Sequence, residues 1–185
     1  VAACGAGVFS LEDGLNLVAE RGRLMQRTAP GQMVAIFAPE AAVKSVIGAI
    51  GTQSCSIAAI NGPQLTVISG TSLACEQIVS QFESEGIRCQ PLTVSNAFHS
   101  PLMEPILSDF RRVAQQVQYS EPKTSLISNV TGAELSSEVT TPEYWVRHIR
   151  QPVRFADSMK TLIQMGIGTF VEIGPKPVLD RKSVV

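Results

Sequence analysis

His99 is the residue of this sequence best suited to acid-base chemistry, and it lies in the segment Ser95–Met103, which reads SNAFHSPLM. An imidazole has an ordinary pKa near neutrality, so it can accept and return a proton. The adjacent Ser100 is a poor nucleophile for it, because neighbouring side chains in an extended segment point apart. A lone histidine is also often structural. From spacing alone, a catalytic base and a structural histidine therefore both stay open.

A second candidate for chemistry is Gly70–Ala74, which reads GTSLA between a predicted strand and a predicted helix. That context is typical of a nucleophile elbow, but Ala74 stands where the elbow needs a second glycine. We prefer the interpretation that Thr71 or Ser72 caps the following helix. The GAGVFS segment, Gly5–Ser10, lacks the third glycine and the preceding strand of a dinucleotide-binding loop.

Composition excludes several classes of function. Of the 185 residues, 44% are hydrophobic and 17% are charged, which is below the usual quarter and indicates extensive burial. The net charge of −1 argues against nucleic-acid and anionic-membrane partners, and no apolar stretch is long enough to span a bilayer. The four cysteines are widely spaced and no secretory leader is visible, so we expect reduced thiols, no metal site and a cytoplasmic location.

The elements that must position His99 surround it on both sides. Residues 32–95 predict an inserted module with the order strand, helix, strand, strand, helix, strand, which is the βαββαβ order of a ferredoxin-like unit. Its predicted elements are Met33–Ala38, Pro39–Gly51, Cys55–Ile60, Leu65–Ser69, Ser72–Gly86 and Ile87–Val94.

The flanking residues, 1–31 and 96–179, predict a larger α/β body around the module. We expect body strands at Thr124–Val130 and within Thr169–Gly174, and helices at Pro105–Gln118, Pro142–Ile149 and Arg154–Gly166. His99 falls where the module returns to the body, and such a junction favours a cleft.

Four separated blocks carry a resemblance to a known family. They are Ala6–Gln26, Ser95–Met103, Tyr144–Phe155 and Phe170–Leu179. In order, they resemble landmarks of the malonyl-CoA:acyl carrier protein transacylase family, and above all acyltransferase domains of bacterial modular polyketide synthases. The resemblance implies an α/β-hydrolase-like large subdomain with an inserted ferredoxin-like small subdomain.

The resemblance also implies a mechanism. A serine in a G-H-S-x-G elbow attacks an acyl-CoA thioester, and the phosphopantetheine thiol of an acyl carrier protein then attacks the acyl-serine. His99 matches the histidine that accepts and returns the protons. Arg21 matches the arginine that pairs with the malonyl carboxylate, for which a guanidinium is well shaped. Arg23 and Arg27 are nearby arginines to which the resemblance assigns no such role, and they serve as controls for Arg21.

The tetrad Asn96–His99, NAFH, corresponds to the extender-selecting tetrad of the family, which usually reads H-A-F-H in malonyl-selective and Y-A-S-H in methylmalonyl-selective domains. Phe98 implies a pocket narrowed against an α-methyl group and so favours malonyl. Asn96 departs from the usual histidine. His148 matches a position that holds the catalytic histidine through its backbone carbonyl, and Asn61 matches a cleft-facing asparagine.

The chain also departs from the family pattern, because it contains no G-H-S-x-G segment. We expect that motif upstream of Val1, so that the printed polypeptide is an inactive fragment of its parent domain. We interpret Asp180–Val185, DRKSVV, as a non-native tail, since it matches a translated sequencing adapter.

The expected partners are malonyl-CoA or a related acyl-CoA, an acyl carrier protein and neighbouring synthase domains, with no bound cofactor. Two alternatives remain at this point: a non-enzymatic ferredoxin-like binding module in which His99 is structural, and a serine hydrolase of the same fold.

Overall fold

The structure, a computed structural model, describes residues 1–135, 137–174 and 179. In chain order its elements are α1 (Ala2–Gly5), α2 (Leu11–Met25), β1 (Gln32–Ile36), α3 (Glu40–Ile50), β2 (Cys55–Gly62), β3 (Leu65–Gly70), α4 (Ser72–Ser84), β4 (Cys89–Pro91), α5 (Leu107–Ala114), α6 (Pro142–Arg150) and α7 (Phe155–Gln164). Short 3-10 segments lie at Pro101–Ile106 and Ser137–Thr140. The tail at 180–185 lies outside the described residues. None of the described helices has the length and apolar character of a membrane span.

The four strands form one antiparallel sheet in the order β2-β3-β1-β4. With the helices α3 and α4 it has the βαββαβ order predicted for residues 32–95, and the mixed α/β class is confirmed. β4 is shorter than predicted. It pairs only with β1, over Cys89–Pro91, and one further backbone hydrogen bond joins the Leu92 N–H to the Met33 carbonyl at 2.9 Å.

The two faces of the sheet have different roles, because side chains alternate along each strand. On one face, Val34, Ile36 and Ile68 pack with residues of α3 and α4 in a buried core. On the other face, Met33 and Val67 form a smaller apolar cluster against which Phe98 packs. This second face is turned toward the segment that carries His99.

The body of the described chain is a helical layer built on a second core. Leu24 of α2, Phe110 of α5 and Ile149 of α6 are almost fully buried in it. Ser10 caps α2, as its side chain accepts a hydrogen bond from the backbone N–H of Asp13 at 3.0 Å. Helix α2, which carries Arg21, is therefore fixed at its start and along its buried face.

The sheet is tied to the body beside α7. Val153 forms a parallel bridge with Ala59 of β2, and its backbone exchanges hydrogen bonds with Ala58 and Ile60, each 2.8 Å long. Arg154 adds an ion pair with Glu40 of α3 at 3.1 Å. The sheet and the body thus meet through backbone hydrogen bonds, while the boundaries at residues 31/32 and 95/96 stay a prediction.

The two body strands that we predicted are wrong. Thr124–Val130 contributes only one bridge, from Ile127 to Glu134, because the chain turns back on itself at Ser128 and satisfies its backbone groups locally. The described part of Thr169–Gly174 is not a strand either: Phe170 is 49% exposed, and no described strand pairs with this segment. Apolar runs become strands only where another strand supplies partners for their N–H and C=O groups.

Candidate active site

His99 is held in an unusual backbone conformation at the edge of the sheet. Its φ is 58°, the only positive φ of a non-glycine residue in the part of the chain that the structure describes. The residues around it are fixed: Ala97 and Ser100 are fully buried, and the Ser100 hydroxyl donates to the Ala97 carbonyl at 2.6 Å. Ser100 also caps the 3-10 segment that begins at Pro101, by accepting from the Leu102 N–H. The local sequence therefore anchors the backbone and leaves the imidazole to face the cleft.

The imidazole of His99 is held by one backbone carbonyl. Its Nδ1 lies 2.8 Å from the carbonyl oxygen of Gln151. A carbonyl can only accept, so Nδ1 carries the hydrogen and Nε2 carries the free lone pair. Nε2 makes no hydrogen bond to any other described residue.

Burial is the main influence on the basicity of His99, and it lowers the pKa of the ring. The positive charge of Arg21 lowers this pKa further, while the hydrogen bond to Gln151 opposes both effects. The neutral ring is consequently the dominant form at neutral pH. A neutral imidazole with Nε2 open to a cleft can act as a general base.

His148 does not hold His99 as we expected, because the backbone carbonyl that does so belongs to Gln151. That expectation is wrong. The Nδ1 of His148 instead lies 3.2 Å from Nη1 of Arg21. A guanidinium only donates hydrogen bonds, so this Nδ1 accepts. Burial, followed by the charge of Arg21 and by that of His99 when its ring is protonated, lowers the pKa of His148 to about 4. His148 is thus a neutral acceptor that orients Arg21.

Arg21 lies on the inner side of α2, four residues after the buried Leu17 and three before Leu24. Burial lowers the pKa of its guanidinium. Among the described arginines, it alone is partly buried with no carboxylate within 4.0 Å. The nearby Arg23 is exposed and paired with Glu20 at 2.6 Å, and Arg27 is exposed. Arg21 is therefore an oriented cation with donors available for an anionic group.

A cleft of about 520 Å³ joins these groups. It brings together four of the predicted site residues, namely Arg21, Asn61, Phe98 and His99. Its remaining walls are apolar: Met25, Met33, Ala58, Ala59, Val67, Leu92, Val94 and Val153. A cation and a base in one apolar cleft suit a small acyl group with a free carboxylate.

A second cavity, of about 420 Å³, lies on the other side of Arg21. Arg21 and His148 line it, together with apolar residues such as Leu15 and Trp145. His99 does not line it, so of these two cavities the first is the one that contains both the base and the cation. We therefore place the candidate site in the first cleft.

Asn96 is not among the residues that line the cleft, and a role for it in extender selection stays a prediction. Its side-chain amide donates to the Met25 carbonyl and to the Thr28 hydroxyl, both at 3.2 Å, and its oxygen accepts from Ser95 at 2.7 Å. These bonds use the side chain to attach the His99 segment to the end of α2. Asn61, by contrast, lies at the cleft and makes no side-chain hydrogen bond to another described residue.

Sequence reasoning missed two groups that contact His99, namely the Gln151 carbonyl and the Ser56 hydroxyl, which donates to the His99 carbonyl at 3.0 Å. A signal for the first was present, because Pro152 forces the preceding residue out of helical conformation. Gln151 ends α6 with φ −81° and ψ 155°. Nothing in the sequence around Ser56 distinguishes it from an ordinary strand serine.

The GTSLA segment forms a helix cap. The Thr71 hydroxyl accepts from the backbone N–H of Ala74, and Ser72 is an exposed residue of the first turn of α4. Ser72 does not line the cleft that contains His99. The capping interpretation of Thr71 is confirmed.

Comparison with known proteins is consistent along the whole chain. The family model described as "Acyl transferase domain" matches residues 1–184. The chain is 48% identical over 177 residues to the phenolphthiocerol synthesis polyketide synthase type I Pks15/1 of Mycobacterium marinum, covering 94% of this chain and 8% of that protein. It is 44% identical to the polyketide synthase GfsA of Streptomyces halstedii, covering 97% of this chain and 2% of that protein.

Solved structures show the same similarity. The acyltransferase domain from the second module of the salinomycin polyketide synthase superposes with a TM-score of 0.93 at 43% identity, covering 97% of this chain and 42% of that one. A malonyl CoA-acyl carrier protein transacylase from Clostridium perfringens superposes with a TM-score of 0.91 at 28% identity, covering 97% and 58%. The chain thus spans less than a tenth of these curated relatives and about half of these solved domains.

Proposed function

This chain belongs to the acyl transferase domain family, and we propose on that premise that it supplies the base and the acyl pocket of an acyltransferase domain of a polyketide synthase. The observation that carries the proposal is the cleft shared by His99 and Arg21. The free Nε2 of His99 suits proton transfer, and the Arg21 guanidinium, which has no carboxylate partner among the described residues, suits a bound carboxylate. A structural histidine alone would need neither the open Nε2 nor the neighbouring cation.

The proposed transfer has two halves with the same proton carrier. A serine of a G-H-S-x-G motif, which the printed chain lacks, gives its proton to Nε2 of His99 as its oxygen attacks the acyl-CoA thioester carbonyl. The resulting imidazolium returns that proton to the departing CoA thiolate. In the second half, Nε2 accepts the proton of a phosphopantetheine thiol, whose sulfur attacks the acyl-serine, and returns it to the serine oxygen.

The extender unit that we propose is malonyl. Arg21 would bind its free carboxylate through two parallel N–H donors, with His148 holding the guanidinium from behind. Phe98 would occupy the space that an α-methyl group needs, since it lines the cleft and packs against both the sheet and the body. The proposed partners are acyl-CoA, an acyl carrier protein and the neighbouring domains of a synthase, and no bound cofactor takes part.

The proposal is tested with the complete domain, by which we mean this chain together with the segment that carries G-H-S-x-G. The domain is incubated with malonyl-CoA, with and without a phosphopantetheinylated acyl carrier protein, and the products are separated by mass. Malonyl transfer onto the carrier that exceeds release of free malonate supports the transferase. Release of malonate at the same rate with and without the carrier would make the domain a hydrolase and overturn the proposal.

A further inference from the structure

The backbone of His99 needs support, because its φ of 58° lies in the left-handed region. Histidine occupies that region more often than most residues, yet the conformation still costs free energy and persists only where neighbours hold it. The Gln151 carbonyl holds the ring of His99 but not its backbone. The Ser100 contacts fix the backbone on either side of His99, and a contact at the His99 peptide group itself adds to that support.

Ser56 makes that contact from the inserted sheet. Its hydroxyl donates to the carbonyl oxygen of His99 at 3.0 Å, across 43 residues of sequence. Ser56 lies in β2, where it is paired with Ser69 of β3, so its own backbone is fixed by the ladder. A side chain of the inserted sheet therefore contacts the backbone of His99, the candidate base.

Arg150 orients the Ser56 hydroxyl. Its Nη1 lies 3.5 Å from Ser56 Oγ, and its Nε donates to Glu104 at 3.1 Å. Because a guanidinium only donates, the hydroxyl accepts from Arg150 and directs its own hydrogen to His99. Glu104 follows His99 by five residues, so the contacts close a ring that begins and ends on the same segment.

We propose that Ser56 is a positioning residue for acyl transfer, which holds the His99 backbone so that Nε2 points at the nucleophile. This inference rests on the proposed function and assigns part of the catalytic geometry to the ferredoxin-like unit. Gln151 sets the tilt of the ring and Ser56 sets the peptide from which the ring projects. Loss of the hydroxyl lets the peptide relax, and small displacements of a base slow proton transfer.

The test measures the rate constant of acyl loading by the complete domain and by its Ser56→Ala variant. One hydrogen bond contributes about 0.5–1.5 kcal/mol, so loading slows about two- to twelvefold, with unchanged KM for malonyl-CoA. Ser56→Thr keeps the hydroxyl and restores the rate to within about twofold. If Ser56 were purely structural, Ser56→Ala would lower the stability of the domain but not the loading rate constant of the folded protein. Ser56→Thr would then have no lost rate to restore.

Ser69→Ala is the matched control. Ser69 lies opposite Ser56 in the sheet, and its buried hydroxyl has no hydrogen-bond partner among the described residues. We expect this variant to load at the original rate. Loading by Ser56→Ala at the original rate overturns the inference. An equal slowing in Ser69→Ala also overturns it, and so does a slowing of Ser56→Ala that is accompanied by a lower melting temperature.

Failure of the proposed function has a different signature. If the unmodified complete domain does not load, or if its His99→Ala variant loads as fast, the transferase itself is wrong. If His99→Ala abolishes loading while Ser56→Ala leaves it unchanged, only the positioning role is wrong.

Discussion

The Nδ1 atom of His99 lies 2.8 Å from the backbone carbonyl oxygen of Gln151. This contact places the hydrogen on Nδ1 and leaves Nε2 free to accept a proton. It also joins two segments far apart in sequence, the return from the inserted sheet and the end of α6. In chymotrypsin-type triads a carboxylate orients the histidine in this way, whereas here a neutral carbonyl does so and adds no negative charge to the site.

The pH dependence of acyl loading follows from the lowered pKa of His99. Only the neutral ring can accept the proton of the serine, and burial keeps the ring neutral to a lower pH than a free histidine. We therefore expect kcat/KM for malonyl-CoA to reach half of its maximum at a lower pH than the ordinary histidine pKa of about 6.5. The measurement is a pH-rate profile of the complete domain. A half-maximal rate at or above about pH 6.5 would show that the ring is not shielded from water as the structure indicates.

Arg21→Ala should discriminate between acyl donors. The guanidinium has no carboxylate partner in the described chain, so its removal breaks no ion pair there. Its removal should instead weaken the binding of an anionic acyl group. A charged hydrogen bond contributes about 1.5–3 kcal/mol, so kcat/KM for malonyl-CoA should fall about 10- to 100-fold. Loading from acetyl-CoA, which has no free carboxylate, should not fall. The control is Arg27→Ala, since Arg27 is exposed and does not line the cleft. Equal losses for both donors would argue against a carboxylate-binding role.

Phe98→Ala should relax the choice of extender unit. Phe98 lines the cleft beside His99 and packs against apolar residues of the sheet. One methyl group is worth about 1–3 kcal/mol of discrimination, so the preference for malonyl-CoA over methylmalonyl-CoA should narrow by about tenfold or more. Competition between the two donors, read out by intact mass, measures the ratio. An unchanged ratio would make Phe98 a packing residue only.

Gly70 and Gly48 provide a stability test of the sheet. A Cβ at Gly70 would overlap the Ser54 carbonyl oxygen and lie 2.7 Å from the Cys55 Cα, and both are backbone atoms that cannot easily move. Gly70→Ala should lower the free energy of unfolding by about 2 kcal/mol or more. Gly48→Ala lies in α3 with no atom near its Cβ, and it should raise that free energy by about 1 kcal/mol. Urea denaturation measures both, and equal effects would contradict the described packing of β2 on β3.

The sequence predicted the inserted unit well because its signals are local. Short apolar runs, Gly51 at the end of α3 and Thr71 at the start of α4 each indicate an element without knowledge of the rest of the fold. The strand predicted at Thr124–Val130 failed for the opposite reason. Whether an apolar run forms a strand depends on a second strand with which it can pair, and the local sequence does not reveal that strand. Here the chain turns back at Ser128 before a ladder forms.

The candidate site divides in the same way. His99, Phe98, Arg21 and Asn61 could be named from their side-chain chemistry and from family motifs, and the fold places them in one cleft. The hydrogen-bond partners of Asn96 could not be predicted, because a side-chain amide can bind many kinds of group, and here it donates to the backbone of α2. The Gln151 carbonyl and the Ser56 hydroxyl were missed since their importance depends only on proximity to His99.

The most direct test of the account is acyl loading by the complete domain and its His99→Ala variant, followed by intact mass after mixing with malonyl-CoA. A general base contributes about 10²- to 10⁴-fold to the rate of such a step. We expect the unmodified domain to gain one malonyl group and the variant to gain it at least about 100-fold more slowly, with the same melting temperature. Loading of both proteins at one rate would contradict the assignment of His99 as the base, and with it the proposed mechanism.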